Sequence, residues 1–137
     1  MPLGGTLPPT RIFASRAFRR WQSRVGLADP ALAIAVAEMR AGLVDADLGG
    51  GLVKKRVAIP GHGKRGGARV LVATRRGDRW FFERRGATEN QSNLDTGELA
   101  ALRHWATELL ALNDQALAAA SQAGVLHEID HQPTTPH

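Results

Sequence analysis

Cysteine is absent from the 137 residues, and so is tyrosine. Without thiols the chain has no disulfide, no thiolate metal site and no cysteine nucleophile. Long apolar runs are missing too: none approaches the ~20 residues that would span a bilayer. The opening segment Met1–Pro9 (MPLGGTLPP) has neither a basic nor an apolar stretch of the kind a secretory signal needs. Its Gly and Pro content suits a disordered leader. The five histidines, His62, His104, His127, His131 and His137, are not spaced as metal ligands. These absences exclude disulfide, thiolate-metal and thiol-nucleophile chemistry, and the expectation is a cytoplasmic protein with no cofactor and no membrane partner.

Acid is scarce where base is dense. Of the 18 Lys and Arg residues, eleven fall between Lys54 and Arg85, a stretch with only two carboxylates, Asp78 and Glu83. From Gly86 onward seven carboxylates face a single Arg103. Net charge is +5. A segment with this much one-sign charge repels itself unless a polyanion or an acidic partner neutralises it. A solvated charged face would look similar, but density and segregation favour a surface that meets phosphate.

The length fits one domain. We place it at residues 10–129, between the leader 1–9 and a flexible tail 130–137. Thr10–Ala14 suits a short strand. Phe18, Trp21 and Val25 then recur at helical spacing, with Arg16, Arg19, Arg20 and Arg24 on the other side and Gly26 as the stop. Asp29-Pro30 reads as an N-cap followed by proline at the first helical position. Leu32, Val36, Met39 and Leu43 continue a second helix. After Gly49-Gly50-Gly51 the period becomes two: Val53, Val57 and Ile59 alternate with Lys54, Arg56 and Ala58, which sends Lys54 and Arg56 to one face. Ala68–Thr74 and Arg79–Arg85 give two more strands around a tight turn at 75–78, and so an antiparallel meander. Asp95-Thr96-Gly97-Glu98 is a capping box opening a helix to about Leu112. Asn113 or Asp114 caps another helix ending at Gly124, and Val125–Ile129 suits a last strand. The class is α+β, with two N-terminal helices on a small antiparallel sheet and further C-terminal helices.

Gly61-His62-Gly63-Lys64-Arg65-Gly66 matches the form of a dinucleotide fingerprint, but a strand follows it instead of the helix N-terminus that would hold a pyrophosphate. Arg65 also stands where a P-loop needs Ser or Thr. The better reading is a flexible basic loop in which Lys64, Arg65 and His62 lie along a phosphate backbone; His62 could also serve as a base. The strongest signal is Lys54 and Arg56 on one strand with Arg69 on the next, because side chains across an antiparallel pair lie within a few ångströms. Three such cations could hold a scissile phosphate and stabilise its transition state, or cradle an acidic helix.

On these residues the chain resembles the RelE/ParE superfamily of bacterial toxins, in its RelE-like, HigB-type branch. The likeness runs from about Thr10 to Ile129. It is most specific in Glu38–Gly67, with AGLVDADLGGGLVKKRVAIPGHGKRGG as its core, and has support from Gly77-Asp78-Arg79, Phe81-Phe82 and the helix Glu98–Leu112. The resemblance implies a type II toxin that cuts mRNA in the ribosomal A site without a metal, by attack of the ribose 2′-OH on the adjacent phosphate. It also implies silencing by a cognate antitoxin, for which a helix-turn-helix protein is one candidate. The matching positions are Lys54, Arg56 and Arg69, expected to carry catalysis; separately, Lys55, His62, Lys64, Arg65, Arg84, Arg85 and Gln91 are expected to contact RNA or ribosome. The sequence departs from the family where Ala68 replaces the tyrosine before the catalytic arginine, and where Thr88 and Gln91 replace cations. Without tyrosine, phenol stacking on bases is lost, and the planar guanidinium groups of Arg84 and Arg85 are the available substitute. The alternatives are a ParE-like gyrase inhibitor that cuts nothing, and a degenerate member that only binds its antitoxin.

Overall fold

Ser15 fixes the first turn of the chain. Its hydroxyl accepts from the Phe18 N–H at 3.0 Å, capping a helix, and donates to the Glu83 carbonyl of a neighbouring strand. The computed structural model describes residues 10–61, 63–85 and 95–130, with the side chains of Lys64, Arg65, Arg84 and Arg85 outside the description. Its elements are β1 (Arg11–Ser15), α1 (Arg16–Val25), α2 (Asp29–Arg40), β2 (Ala46–Gly49), β3 (Leu52–Ile59), β4 (Gly63–Thr74), β5 (Arg79–Arg85), α3 (Thr96–Leu110), α4 (Asp114–Gln122) and β6 (Leu126–Ile129).

The six strands form one sheet in the order β2-β3-β4-β5-β1-β6. The expected meander is β3-β4-β5, all antiparallel. β1, however, pairs with β5 in parallel, Phe13 beside Phe81, and β6 closes the far edge antiparallel to β1. Continuous apolar runs explain why β1 and β5 sit inside: Ile12-Phe13-Ala14 and Trp80-Phe81-Phe82 are apolar on both faces, which suits strands covered on both sides.

The two faces carry separate cores. Ile12, Val53, Val57, Val72, Trp80 and Phe82 meet α1 and α2 through Phe18, Trp21, Leu32, Val36 and Met39. Phe13, Leu52, Leu71, Ala73 and Phe81 meet α3 and α4 through Leu102, Ala106, Leu109 and Leu117. Phe13 and Phe81 stack at 5.0 Å, and Phe18 tilts against Phe82 at 5.3 Å. The class is α+β as expected, but the sheet is sandwiched: the C-terminal helices pack on the face opposite α1 and α2.

Several local expectations change. Asp29 is the first residue of α2 and not its cap; its carboxylate is drawn away by the Arg19 guanidinium at 2.9 Å and the Gln22 amide at 2.6 Å. β4 begins at Gly63 and pairs there with Ile59, so the backbone at Lys64 and Arg65 is strand and the basic loop shrinks to a turn. A glycine-rich stretch still forms a ladder, because its N–H and C=O groups find partners on the long β3. At the 75–78 turn Arg76, not Gly77, takes the left-handed conformation (φ 62°), with its N–H on the Thr74 hydroxyl at 2.8 Å. Asp95 does cap α3, accepting from the Glu98 N–H at 2.7 Å, and Asn113 caps α4. The leader 1–9 and the tail beyond residue 130 lie outside the described residues.

Candidate phosphate-binding face

Alternation along β3 sends Leu52, Lys54, Arg56 and Ala58 to the α3 side of the sheet, and Val53, Lys55, Val57 and Ile59 to the α2 side. On the α3 side Leu52 is buried under the helix, so the two cations begin where its cover ends. Register brings their neighbours to the same place: Lys54 pairs with Leu71, which pairs in turn with Arg84, and Arg56 pairs directly with Arg69. Lys54, Arg56 and Arg69 therefore share one face, as their spacing predicted.

Arg56 and Arg69 are directly opposed like charges, an arrangement that destabilises a strand pair unless something negative lies between or beside them. Asp45 supplies part of that charge, its Oδ2 lying 3.2 Å from Arg69 Nε. Among the described residues the side chains of Lys54 and Arg56 have no carboxylate or hydrogen-bond partner, and Arg56 is exposed. The face thus offers one guanidinium held by a single acid contact, one without a partner, and an ammonium two residues along the strand. Cations grouped on one face in this way are the donors that an anionic group such as a phosphate calls for.

The other cations of the basic segment divide into two groups. Lys55 projects to the opposite face and is buried, its Nζ 2.9 Å from Glu38 of α2. That corrects its place among the RNA contacts: an alternating strand cannot present Lys55 beside Lys54 and Arg56. Arg75 donates to the Leu110 carbonyl and Arg79 to that of Leu112, so both dress the C-terminal end of α3, where cations are favoured. Arg79 also pairs with Asp114 at 2.6 Å, and Arg76 with Asp47 at 3.4 Å. Much of the charge density that singled out this segment is therefore structural. For Lys64, Arg65, Arg84 and Arg85 only backbone positions are defined. His62, Thr88 and Gln91 lie outside the described residues, as does the 86–94 connection between β5 and α3.

A second feature adjoins the first. β2 pairs with β3 only as far as Lys54, and Asp45 N–H donates to the Lys54 carbonyl at 2.8 Å. Because alternate residues of a strand point their backbone groups to the same edge, those of Arg56 and Ala58 face outward with no strand beside them among the described residues. A groove of about 440 Å³ runs along this edge beneath α2, lined by Ile34, Ala35, Leu43, Lys55 and Val57 among others. Ile34 is 62 % and Leu43 58 % exposed. Leu43 was expected to continue the core stripe of α2, but the helix ends at Arg40 and turns it outward. Among the described residues no cluster of His, Asp or Glu could hold a metal ion, and no helix is long and apolar enough to cross a membrane.

Comparison with protein families matches residues 10–129 to the family described as the RelE toxin of the RelE/RelB toxin–antitoxin system. The match spans every described element from β1 to β6. Comparison with curated proteins finds no significant match.

Proposed function

Because the chain belongs to the RelE toxin family, we propose that this toxin cleaves mRNA on the ribosome, with Lys54, Arg56 and Arg69 as its catalytic residues. The observation that carries the reading is the opposed Arg56–Arg69 pair with Lys54 beside it, on a face that α3 leaves open. In the reaction the ribose 2′-oxygen bonds to the adjacent phosphorus and the P–O5′ bond breaks, leaving a 2′,3′-cyclic phosphate and a 5′-hydroxyl. Arg56 and Arg69 hold the non-bridging oxygens and offset the charge that builds on them in the transition state. Guanidinium groups do not give up protons at accessible pH, so of the three only Lys54 can deliver one to the departing 5′-oxygen. The 2′-hydroxyl proton passes to water. Lys64, Arg65, Arg84, Arg85, His62 and Gln91 are proposed to line the RNA path on either side.

RelE toxins pair with an antitoxin. We place this toxin's antitoxin along the free edge of β3, with an added strand hydrogen-bonding to Arg56 and Ala58 and apolar side chains entering the groove beside Ile34 and Leu43. Such a strand would run directly beside Arg56, which explains how binding silences cleavage.

Induction in cells followed by mapping of mRNA ends tests the nuclease reading. The reading predicts cuts within translated frames; intact mRNA with broken DNA would instead indicate a gyrase inhibitor. Two observations favour a second reading: Arg69 already engages Asp45, and Ala68 stands where the family has tyrosine. A member that binds its antitoxin but cuts nothing would give intact mRNA and intact DNA.

A further inference from the structure

The first 28 residues contain five arginines and no carboxylate, and four of the five lie in α1. Cations are disfavoured near a helix N-terminus, where the aligned peptide dipoles leave positive charge. Yet α1 opens on Arg16, reaches Arg19 and Arg20 within its first five residues, and has no acid in its first turn. Folding alone does not ask for this arrangement.

The exposed side of α1 is unusual in what it holds. Phe18, Trp21 and Gln22 turn inward. Arg16, Arg20 and Arg24 recur every four residues, so they rise in steps of roughly 6 Å along one side of the helix. The positions flanking them, Ala17 and Ser23, are exposed and small. Arg16 leans on the Gly124 carbonyl at 3.2 Å, and among the described residues Arg20 and Arg24 have no partner. α1 packs on β5, β1 and β6, on the side of the sheet opposite Lys54, Arg56 and Arg69.

We propose that the outer side of α1 is a second RNA-binding surface, gripping the phosphate backbone of a structured RNA while the sheet face on the other side of the molecule acts on its substrate. An acidic protein is the poorer occupant. Stable protein interfaces need buried apolar or aromatic anchors, and this side of α1 presents only arginines and two small residues. Phosphates need only the guanidinium forks, and small flanking residues let a backbone approach closely. The proposal rests on the reading of the chain as an RNA-acting toxin and adds a surface that cleavage itself does not use.

The test is equilibrium binding of the full-length protein to a fluorescein-labelled RNA hairpin over a series of KCl concentrations. Wild type is compared with Arg20→Gln/Arg24→Gln and with the charge-preserving Arg20→Lys/Arg24→Lys. Each lost phosphate contact lowers the log–log salt slope by roughly 0.7–0.9. The Gln pair should therefore flatten the slope by about 1.5, and the Lys pair should keep most of it. Wild type without salt-dependent binding, or a Gln pair with the wild-type slope, overturns the proposal. So does an unchanged slope combined with weaker antitoxin binding, which would make this side of α1 a protein interface. The nuclease reading fails on a different result: an Arg56→Gln protein that cleaves as fast as wild type, whatever α1 does.

Discussion

At the scale of single residues, two carboxylates control how the basic segment is used. Asp45 competes with any phosphate for Arg69. Asp45→Asn removes that competition, so binding of a short RNA oligonucleotide should tighten, by several-fold at low salt and less as salt rises, as titration would show. Unchanged affinity would mean that Arg69 does not meet RNA. Glu38 has a structural role on the other face. Its partner Lys55 has a side chain only 8 % exposed, whereas that of Glu38 is 40 % exposed. Glu38→Gln strands a buried ammonium, and urea unfolding should show a loss of about 1–2 kcal/mol, below the full cost of breaking a buried pair because water still reaches the site. The alternation that separated Lys54 and Arg56 from the core was legible in the sequence, and it placed Lys55 on the opposite face equally well. Its partner Glu38 was not legible, because no local pattern ties residue 38 to residue 55.

Elements read well where their signals are local. Ser15 and Gly26 bracket α1, the Phe18–Trp21–Val25 spacing sets its inner side, and Asp95 opens α3 as its capping box predicts. Hydrogen bonding to the Glu98 N–H holds the Asp95 carboxyl below its ordinary value of 3.8. A lowered folded pKa stabilises the protein above the unfolded value, and that contribution fades as pH falls through the folded one. Asp95→Asn keeps a capping acceptor that does not titrate. The Tm of wild type should therefore fall relative to the variant once pH drops below about 3.8, and parallel Tm curves through that range would contradict the cap. Pairing between distant strands was less legible. β1 enters between β5 and β6, and the parallel match of Phe13 with Phe81 depends on contacts nearly seventy residues apart. The apolar runs at 12–14 and 80–82 were the available clue, since two-sided burial marks an interior strand.

At the scale of the whole molecule, a two-sided sandwich separates three surfaces. α3 and α4 pack on one sheet face over Leu52 and Leu71, and Lys54, Arg56 and Arg69 lie on that same face. α2 and the outer edge of β3, unpaired beyond Lys54 among the described residues, frame an apolar groove, and the arginines of α1 lie elsewhere on the surface. If the groove takes the antitoxin, Ile34→Asp should weaken antitoxin binding by at least tenfold in calorimetry. Ile34 is exposed, so stability and cleavage should stay close to wild type. Equal affinity would move the antitoxin elsewhere. The charge segregation read from the sequence survives in part: Lys55, Arg75, Arg76 and Arg79 serve the fold, so among the described residues the cations left to meet an anion are fewer than their count suggested.

Everything proposed for this toxin turns on whether the Arg56–Arg69 pair with Lys54 performs cleavage. Single-turnover cutting of mRNA on translating ribosomes, by wild type and by Lys54→Ala, Arg56→Ala and Arg69→Ala, tests it most directly. Each substitution should slow cutting by roughly 10²–10³, the range seen when one transition-state donor is removed, while ribosome affinity changes far less. Variants that cut at the wild-type rate, or a wild type that leaves mRNA intact, would contradict the account.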